Sequence, residues 1–178
     1  MVEKRVDRKN LIDINEILIM RKIKNVHMHE DPTKYNCFGC APHNQLGLHL
    51  DFWEDGDEVF TLWEPKSHLM GWVNVLHGGI QATLMDEVSG WLVYVKCATA
   101  GVTAELNVKY RKPMFMDRGP LKVVSKLREK THRMAIIDSR IEIDGVVDAE
   151  GVLKFFLFSE QVAREQYYYP GVDAFFET

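Results

Sequence analysis

The sequence predicts a single α+β domain in which one long helix is inserted among several antiparallel strands. Residues 79–98 carry apolar side chains at helical spacing, residues 103–158 alternate between apolar and polar side chains, and Asp-Gly hairpin signals occur at residues 55–56 and 144–145. A helix placed among hairpin-connected strands is typical of α+β folds rather than of parallel folds with alternating strands and helices.

The composition is that of an ordinary folded domain. Of the 178 residues, 46% are hydrophobic and 27% are charged, and the formal net charge is −4. Nucleic-acid-binding domains usually carry a basic patch, so this charge argues against such a partner. No apolar run is long enough to span a bilayer, no signal peptide is visible, and three cysteines favour a reducing compartment. We expect a cytoplasmic protein with no nucleic-acid and no membrane partner.

Residues 1–30 are predicted to be an N-terminal extension that contains an amphipathic helix. Apolar side chains recur at helical spacing from Leu11 to Ile23, and lysines near the end suit the negative end of the helix dipole. Acidic side chains among the basic ones disfavour a membrane-surface helix. We therefore predict that this helix packs on the domain or on a partner subunit.

Cys37 and Cys40 have the spacing of a zinc knuckle, and His27, His29 and His43 lie nearby in the sequence. A zinc site would need a second ligand pair at defined spacing, which the sequence does not show. Free cysteine packs like a small hydrophobic residue. The segment is therefore predicted to be a compact turn with small buried thiols and no metal.

The strands of the main domain, residues 31–160, are predicted from alternation. The first begins at Leu46 and runs through Leu48, Leu50 and Phe52 to an Asp-Gly turn. The remaining predicted strands are residues 59–63, 103–110, 121–127, 135–143 and 146–158. The C-terminal tail, residues 161–178, is too aromatic for free solvent, so we predict that it packs against a protein surface.

The stretch from Val73 to Glu87 has the parts needed for acyl chemistry. A short apolar run ends at His77, two glycines follow, and an amphipathic segment then carries two adjacent carboxylates. Glycines at a helix start allow another molecule to approach the backbone. The first N–H groups of a helix have no internal partner and carry a partial positive charge, so a developing oxyanion could bind there.

A helical wheel distinguishes the two carboxylates. It places the apolar side chains of the segment on one face, which is predicted to meet the core; they are Ile80, Leu84, Val88, Trp91 and Val95. Asp86 projects on the opposite side, and Glu87 lies beside the apolar face. Asp86 is therefore directed away from the sheet that covers the helix.

The order of elements resembles the hotdog fold, in which a curled antiparallel sheet wraps around one central helix. From about residue 36 to 158, the chain looks like the acyl-CoA thioesterases of the phenylacetyl-CoA thioesterase-like (PaaI-like) branch. Three motifs carry this resemblance: His77-Gly78-Gly79 with Asp86, the strand Gly101–Pro113, and Cys37-Phe38-Gly39-Cys40 with Gly47-Leu48.

The resemblance implies roles for four residues. Asp86 takes the place of the catalytic carboxylate, which acts as general base or as nucleophile. The backbone N–H of Gly79 would polarise the thioester carbonyl, and His77 would shape the turn and contact the thioester. Thr103 matches a serine or threonine that helps to position the attacking water. Glu87 is a rival for the role of the carboxylate.

Gly78, Asn74, Glu87 and Arg133 are predicted to contribute to substrate binding. Many relatives carry an asparagine six residues before the histidine, where this chain has Gly71. Asn74 lies three residues before the histidine, and whether it replaces the missing asparagine is left open.

The implied activity is hydrolysis of an acyl-CoA thioester to a free acid and coenzyme A, without a cofactor, since coenzyme A is part of the substrate. The resemblance also implies a homodimer or homotetramer with active sites at the subunit interface. Two alternatives remain: a non-catalytic acyl-CoA-binding or sensor protein, and a hotdog dehydratase or hydratase. The acyl group is not predicted.

Overall fold

A computed structural model of the chain describes residues 20–29 and 35–176. Its strands are β1 (Arg21–Ile23), β2 (Phe52–Asp55), β3 (Glu58–Trp63), β4 (Met70–Trp72), β5 (Val75–Leu76), β6 (Gly101–Tyr110), β7 (Leu121–Lys130), β8 (Met134–Ile143) and β9 (Val146–Leu157). Its helices are α1 (Gly78–Lys96) and α2 (Glu160–Tyr167). Within the described residues, seven strands form one antiparallel sheet in the order β1-β2-β3-β7-β8-β9-β6, and β4 and β5 form a separate hairpin.

The sheet wraps around α1, which contacts β3 and β6 to β9. Leu84, Val88 and Trp91, on the predicted apolar face, are all buried. One buried polar chain also joins helix and sheet, because the Ser89 hydroxyl bonds to that of Ser125 at 3.0 Å, and a third serine extends the chain. The predicted α+β architecture is confirmed. No helix in the described part of the chain has the length and hydropathy of a membrane span.

The predicted N-terminal helix is wrong at its C-terminal end, where the structure has a strand. Residues 21–23 form β1, in which Arg21 lies opposite Glu54 and Ile23 lies opposite Phe52 of β2. Pairing with β2 gives the β1 backbone its hydrogen-bond partners and buries Ile23, and neither effect is visible in local helical spacing. Residues 11–19 of the predicted helix lie outside the described residues.

The predicted strand from Leu46 begins later, at Phe52. Leu48 and Leu50 are buried as the alternation implied, but their backbone N–H groups bond to the carbonyls of Phe38 and Gly39, at 2.8 and 2.9 Å. The segment is therefore held against the cysteine turn instead of the sheet. These two bonds fix the position of that turn over α1.

The aromatic tail packs against α1, as predicted. After α2, which the sequence did not predict, Tyr169 and Phe175 are buried. The Phe175 ring stacks on Tyr94 and meets the edge of Trp91, with ring centroids 5.5 and 5.9 Å apart. The tail thus covers the second half of α1 and leaves its first half open to one side.

Candidate active site

His77 is the N-cap of α1, at the junction with β5. Its backbone is not helical (φ −57°, ψ 132°), and its ring Nδ1 accepts a hydrogen bond from the Gly79 N–H at 2.9 Å. A capping side chain normally satisfies one of the first helical N–H groups in this way. The donor that was predicted to polarise a thioester carbonyl is therefore engaged by His77 in this structure.

Gly71 packs directly against this histidine. A Cβ at Gly71 would lie 3.0 Å from the Cα and 3.1 Å from the Cδ2 of His77. Contacts this short would require the histidine to move. A side chain at residue 71, such as asparagine, would therefore require His77 to shift by at least a few tenths of an ångström.

Asn74 and Gly78 have structural roles at the same end of the helix. Asn74 has a left-handed backbone (φ 59°) in the β4–β5 turn, and its carbonyl accepts the Met116 N–H at 2.9 Å. The carbonyl of Gly78 accepts the Tyr110 hydroxyl at 2.8 Å, and a Cβ at Gly78 would lie 3.3 Å from that ring. Glycine at residue 78 thus lets Tyr110 approach the helix start.

Asp86 and Thr103 are brought together by the structure. The Thr103 hydroxyl, on edge strand β6, donates to Asp86 Oδ1 at 2.6 Å. Asp86 is half-buried and Thr103 is exposed. Asp86 is therefore not directed wholly away from the sheet, because the edge strand reaches around to it.

A cavity of about 620 Å³ opens beside these two residues. Its polar wall includes Asp86, Thr103 and Glu87. Aromatic side chains form much of the remaining wall; they are Tyr35, Trp91, Tyr94, Phe155, Tyr167 and Tyr168. The volume lies in the range of small-molecule sites, which combine apolar walls with a few polar groups.

The same cavity also contains two thiols and the second carboxyl group. The Glu87 carboxyl oxygens lie 3.4 and 3.6 Å from Cys37 Sγ, and Cys37 Sγ lies 3.2 Å from Cys40 Sγ. Burial and the neighbouring Cys37 sulfur raise the pKa of Glu87 to about 8. We refer to Asp86 and Thr103 as the carboxylate side of the cavity, and to Cys37, Cys40 and Glu87 as the thiol side.

The thiol side is the one group of described residues whose donor atoms cluster as a metal site would require, within 4.8 Å of one another. It offers three ligands, whereas a structural zinc site has four. Two sulfurs on one tetrahedral zinc would stand about 3.8 Å apart, further than the 3.2 Å between Cys37 and Cys40. We do not assign these residues as metal ligands.

The sequence did not reveal that the cysteine turn belongs to this cavity. The spacing of Cys37 and Cys40 was visible, but 50 residues separate Cys37 from Glu87. Gly39 is what permits the contact, because a Cβ there would overlap the Glu87 side chain. In the sequence, the glycine between the two cysteines is the only local sign of this contact.

Two other predicted groups do not join Asp86 within one chain. Gly79 and Asp86 are seven residues apart on α1, which places them on the same face but about 10 Å apart along its axis. Arg133 lies in the β7–β8 turn and lines a different cavity, near the C-terminal end of α1. Arg133 thus does not line the cavity of Asp86, and its role in substrate binding stays a prediction.

Comparison with known proteins identifies the class. Residues 73–148 match the family model of the thioesterase superfamily. The solved structures that resemble this chain include a thioesterase superfamily protein with 25% identity and a TM-score of 0.62, over 69% of this chain and 60% of that protein. The chain has the hotdog fold, as predicted, and its residues 73–148 match the thioesterase superfamily that the sequence resembles. No curated protein matches the chain significantly.

Two further structures show the same fold at lower identity. A Streptococcus mutans UA159 protein bound to acetyl-CoA has 19% identity and a TM-score of 0.56, over 62% of this chain and 90% of that protein. The Escherichia coli PaaI protein, from the phenylacetic acid degradation operon, has 16% identity and a TM-score of 0.57, over 64% of this chain and 82% of that protein. PaaI gives its name to the branch that the sequence resembles.

Proposed function

We propose that this protein hydrolyses an acyl-CoA thioester to a free acid and coenzyme A. The observation that carries the proposal is the hydrogen bond from Thr103 to Asp86 on the wall of a cavity with aromatic sides. The match of residues 73–148 to the thioesterase superfamily supports the reaction class. The acetyl-CoA bound to the related S. mutans protein supports the substrate class.

Asp86 and Thr103 together can hold a water molecule for attack. A hydroxyl group has one donor and two acceptor positions, so Thr103 can donate to Asp86 and still accept from water. A water that donates one hydrogen to each residue keeps a lone pair for the thioester carbonyl. Asp86 then takes the proton as general base as the C–O bond forms, and the coenzyme A thiolate leaves.

A nucleophilic role for Asp86 uses the same geometry. Its carboxylate would attack the carbonyl carbon, expel the thiolate and form a mixed anhydride, which water would then hydrolyse. The Thr103 hydroxyl beside Asp86 can also accept a hydrogen bond from water, which gives the attacking water a defined position. We therefore prefer the general-base route.

The oxyanion that forms needs a donor, and the start of α1 offers one. An N–H donor of this kind contributes about 3 kcal/mol to barrier lowering in well-studied hydrolases. In one chain, Gly79 is about 10 Å from Asp86, too far for both to act on one carbonyl. The donor would therefore come from a second copy of the chain, after the His77 ring releases the Gly79 N–H.

The exposed face of α1 suits such a second copy. Along this face the exposed and partly exposed residues are small or polar; they are Gly79, Ala82, Thr83, Asp86 and Gly90. Small side chains allow another element to approach the helix backbone closely. A homodimer or homotetramer that shares its active sites would bury this face.

One observation favours the non-catalytic alternative. The Gly79 N–H is already bonded to His77, so a protein that only binds acyl-CoA would need no rearrangement there. Such a protein would keep the aromatic cavity but would not need the carboxylate. The carboxylate with its hydroxyl partner is the reason for which we prefer hydrolysis.

The test is release of coenzyme A from a panel of short, medium-chain and aromatic acyl-CoA thioesters, followed with a thiol-reactive chromophore. Binding of the same compounds to the protein is measured by calorimetry. Hydrolysis of at least one thioester with multiple turnovers is the expected result. Binding without release for every thioester would contradict the proposal and establish the binding alternative, and absence of both would contradict each of them.

A further inference from the structure

The thiol side contains two cysteines in one tight turn, and neither has a role in the proposed hydrolysis. We propose that Cys37 and Cys40 form a reversible dithiol–disulfide pair on the cavity wall, which exchanges electrons with low-molecular-weight disulfides. Such chemistry goes beyond thioester hydrolysis. It also adds a reaction to the small buried thiols that the sequence predicted.

The two sulfurs are placed for bond formation. Their separation of 3.2 Å must shrink by about 1 Å to reach the length of a disulfide, about 2.05 Å. Backbone bonds from Leu48 and Leu50 hold the turn from outside, and the Ala41 N–H bonds to the Cys37 carbonyl at 3.2 Å. Because the backbone is held, side-chain rotation is the main movement that closing the bond requires.

The two thiols have different surroundings. Cys37 is half-buried on the cavity wall, and its sulfur accepts the Cys40 N–H at 3.4 Å. Cys40 is only 7% exposed, and its sulfur lies 3.0 Å from the Tyr35 hydroxyl. A disulfide reagent in the cavity can therefore reach Cys37 first, and Cys40 is left behind it as the resolving thiol.

The acidities of the two thiols follow from these contacts. Hydrogen bonds from the Cys40 thiol and from nearby backbone N–H groups lower the pKa of Cys37 to about 5. The same thiol contact, with burial, raises the pKa of Cys40. The titratable groups around the pair are Tyr35 and Glu87, with His27 and Asp86 on the same cavity wall. These contacts favour the thiolate form of Cys37, which is the attacking form.

The exchange proceeds in two balanced steps. The Cys37 thiolate attacks one sulfur of the disulfide RSSR, so that a mixed disulfide forms while one RS⁻ leaves and takes a proton from water. Cys40 then loses its proton, attacks Cys37 Sγ and expels the second RS⁻. Two protein thiols and RSSR become one protein disulfide and two RSH, with two electrons passing to the small disulfide.

Glu87 is placed to accept the proton of the resolving thiol. Its carboxyl oxygens and both sulfurs lie within 4.8 Å of one another. The negative Cys37 sulfur is one cause of the raised pKa of Glu87. Once Cys37 is in a neutral mixed disulfide, that cause is removed, so the pKa of Glu87 falls and its carboxyl group is better able to take the Cys40 proton.

The experiment equilibrates the full chain with graded mixtures of oxidised and reduced glutathione. Free thiols are then trapped by alkylation under denaturing conditions, and the intact mass is measured. We expect loss of two hydrogen atoms and of two alkylation sites, both reversed by excess reduced glutathione. Cys97 is buried against the core and is expected to remain a thiol throughout. The readout is sulfur chemistry, so its result does not depend on thioester hydrolysis.

Single serine variants separate the two steps. Cys40→Ser is expected to accumulate glutathione on Cys37, whereas Cys37→Ser is expected to take up at least tenfold less. Cys97→Ser is the matched control and should form the internal disulfide as the unmodified chain does. Circular dichroism of each variant checks that it is folded, and a variant that fails this check is replaced by the corresponding alanine variant.

Two results would overturn the proposal. The first is that the unmodified chain keeps three alkylatable thiols at every glutathione ratio, which would mean that the pair is inert. The second is about one zinc ion per purified chain, with Cys37 and Cys40 protected until a chelator removes the metal. In that case the turn would be a metal site that recruits further ligands.

Discussion

The two sides of the cavity start from adjacent residues of one helix and differ in chemistry. Asp86 lies at the open side and accepts a hydroxyl hydrogen bond, a contact that stabilises a carboxylate. Glu87 lies beneath the cysteine turn, where burial and a neighbouring sulfur raise its pKa to about 8. The difference shows that the surroundings on each side of α1, and not the residue type, decide which carboxyl group is suited to act on water.

The largest expected effect comes from exchanging each carboxylate for its amide. Asp86→Asn should lower kcat by about 10²- to 10⁴-fold, because that is the usual contribution of a general base. Glu87→Gln should lower it less than tenfold, since a protonated carboxyl and an amide are both neutral. Steady-state thiol release measures both variants.

Asp57→Asn is the matched control, because Asp57 is an exposed residue of the β2–β3 turn that pairs with Lys126. Its kcat should equal that of the unmodified protein. A larger loss for Glu87→Gln than for Asp86→Asn would reverse the assignment of the two sides.

The sequence predicts one side of this comparison better than the other. Asp86 lies in a recognisable motif at a fixed distance from His77, and both the helix and strand β6 follow from local periodicity. The contact between Cys37 and Glu87 joins residues 50 positions apart, through a turn whose place is set by backbone bonds from residues 48 and 50. No local pattern encodes such a contact.

The same reasoning explains the errors in the fold. β1 was predicted as helix because its partner strand β2 lies about 30 residues further along the chain. Helix α2 was missed because the aromatic residues that follow it dominate the composition of the tail. The capping of Gly79 by His77 is local, yet it depends on a side-chain rotation that the sequence does not specify.

The next largest effect tests the hydroxyl partner on the carboxylate side. Thr103→Val removes the donor to Asp86 and keeps a β-branched side chain, which suits the strand. A hydrogen bond to a charged group contributes about 1.5–3 kcal/mol, so kcat/KM should fall by about 10- to 100-fold.

Thr103→Ser, which retains the hydroxyl, is the matched control and should keep most of the activity. If the valine variant were as active as the serine variant, Thr103 would have no part in holding the water. Thermal unfolding of both variants shows whether a loss of activity reflects a loss of structure.

A smaller effect is expected where the cysteine turn contacts the helix. Gly39→Ala places a Cβ into the space of the Glu87 side chain, so the carboxyl group must leave the two thiols. Overpacking of this kind costs about 1–3 kcal/mol in the free energy of unfolding. Denaturant titration measures the change.

Gly90→Ala, on α1 itself, is the control, because no described heavy atom lies within 4 Å of a Cβ at that residue. In a helix this change should stabilise the folded chain by about 0.5–1 kcal/mol. In a Glu87→Ala background, Gly39→Ala should lower the free energy of unfolding by less than it does in the unmodified chain, as expected for residues in contact. Equal costs in the two backgrounds would mean that Glu87 is not the group displaced.

The smallest effect expected in the unmodified protein is the pH dependence of its stability, because the thiol and the carboxyl group act in opposite directions. The pKa of Glu87 is raised from 4.5 to about 8, so the native state binds more protons than the unfolded state across this window. Stability contributed by this group therefore falls as pH rises through the window. The pKa of Cys37 is lowered from 9.0 to about 5, so its contribution rises with pH over nearly the same range.

In the unmodified protein the two slopes oppose each other, and the free energy of unfolding should change little between pH 5 and pH 8. Cys37→Ser leaves the buried Glu87, so stability should fall with pH, by about 1.4 kcal/mol for each unit by which its native pKa stays raised. Glu87→Gln leaves the Cys37 thiolate with its Cys40 partner, so stability should rise with pH. Urea titrations under a non-thiol reductant measure the three slopes. If the free energy of unfolding has opposite pH slopes in the two variants, Glu87 holds a proton that the Cys37 sulfur has given up. If the two slopes are parallel, no proton is shared between Glu87 and Cys37.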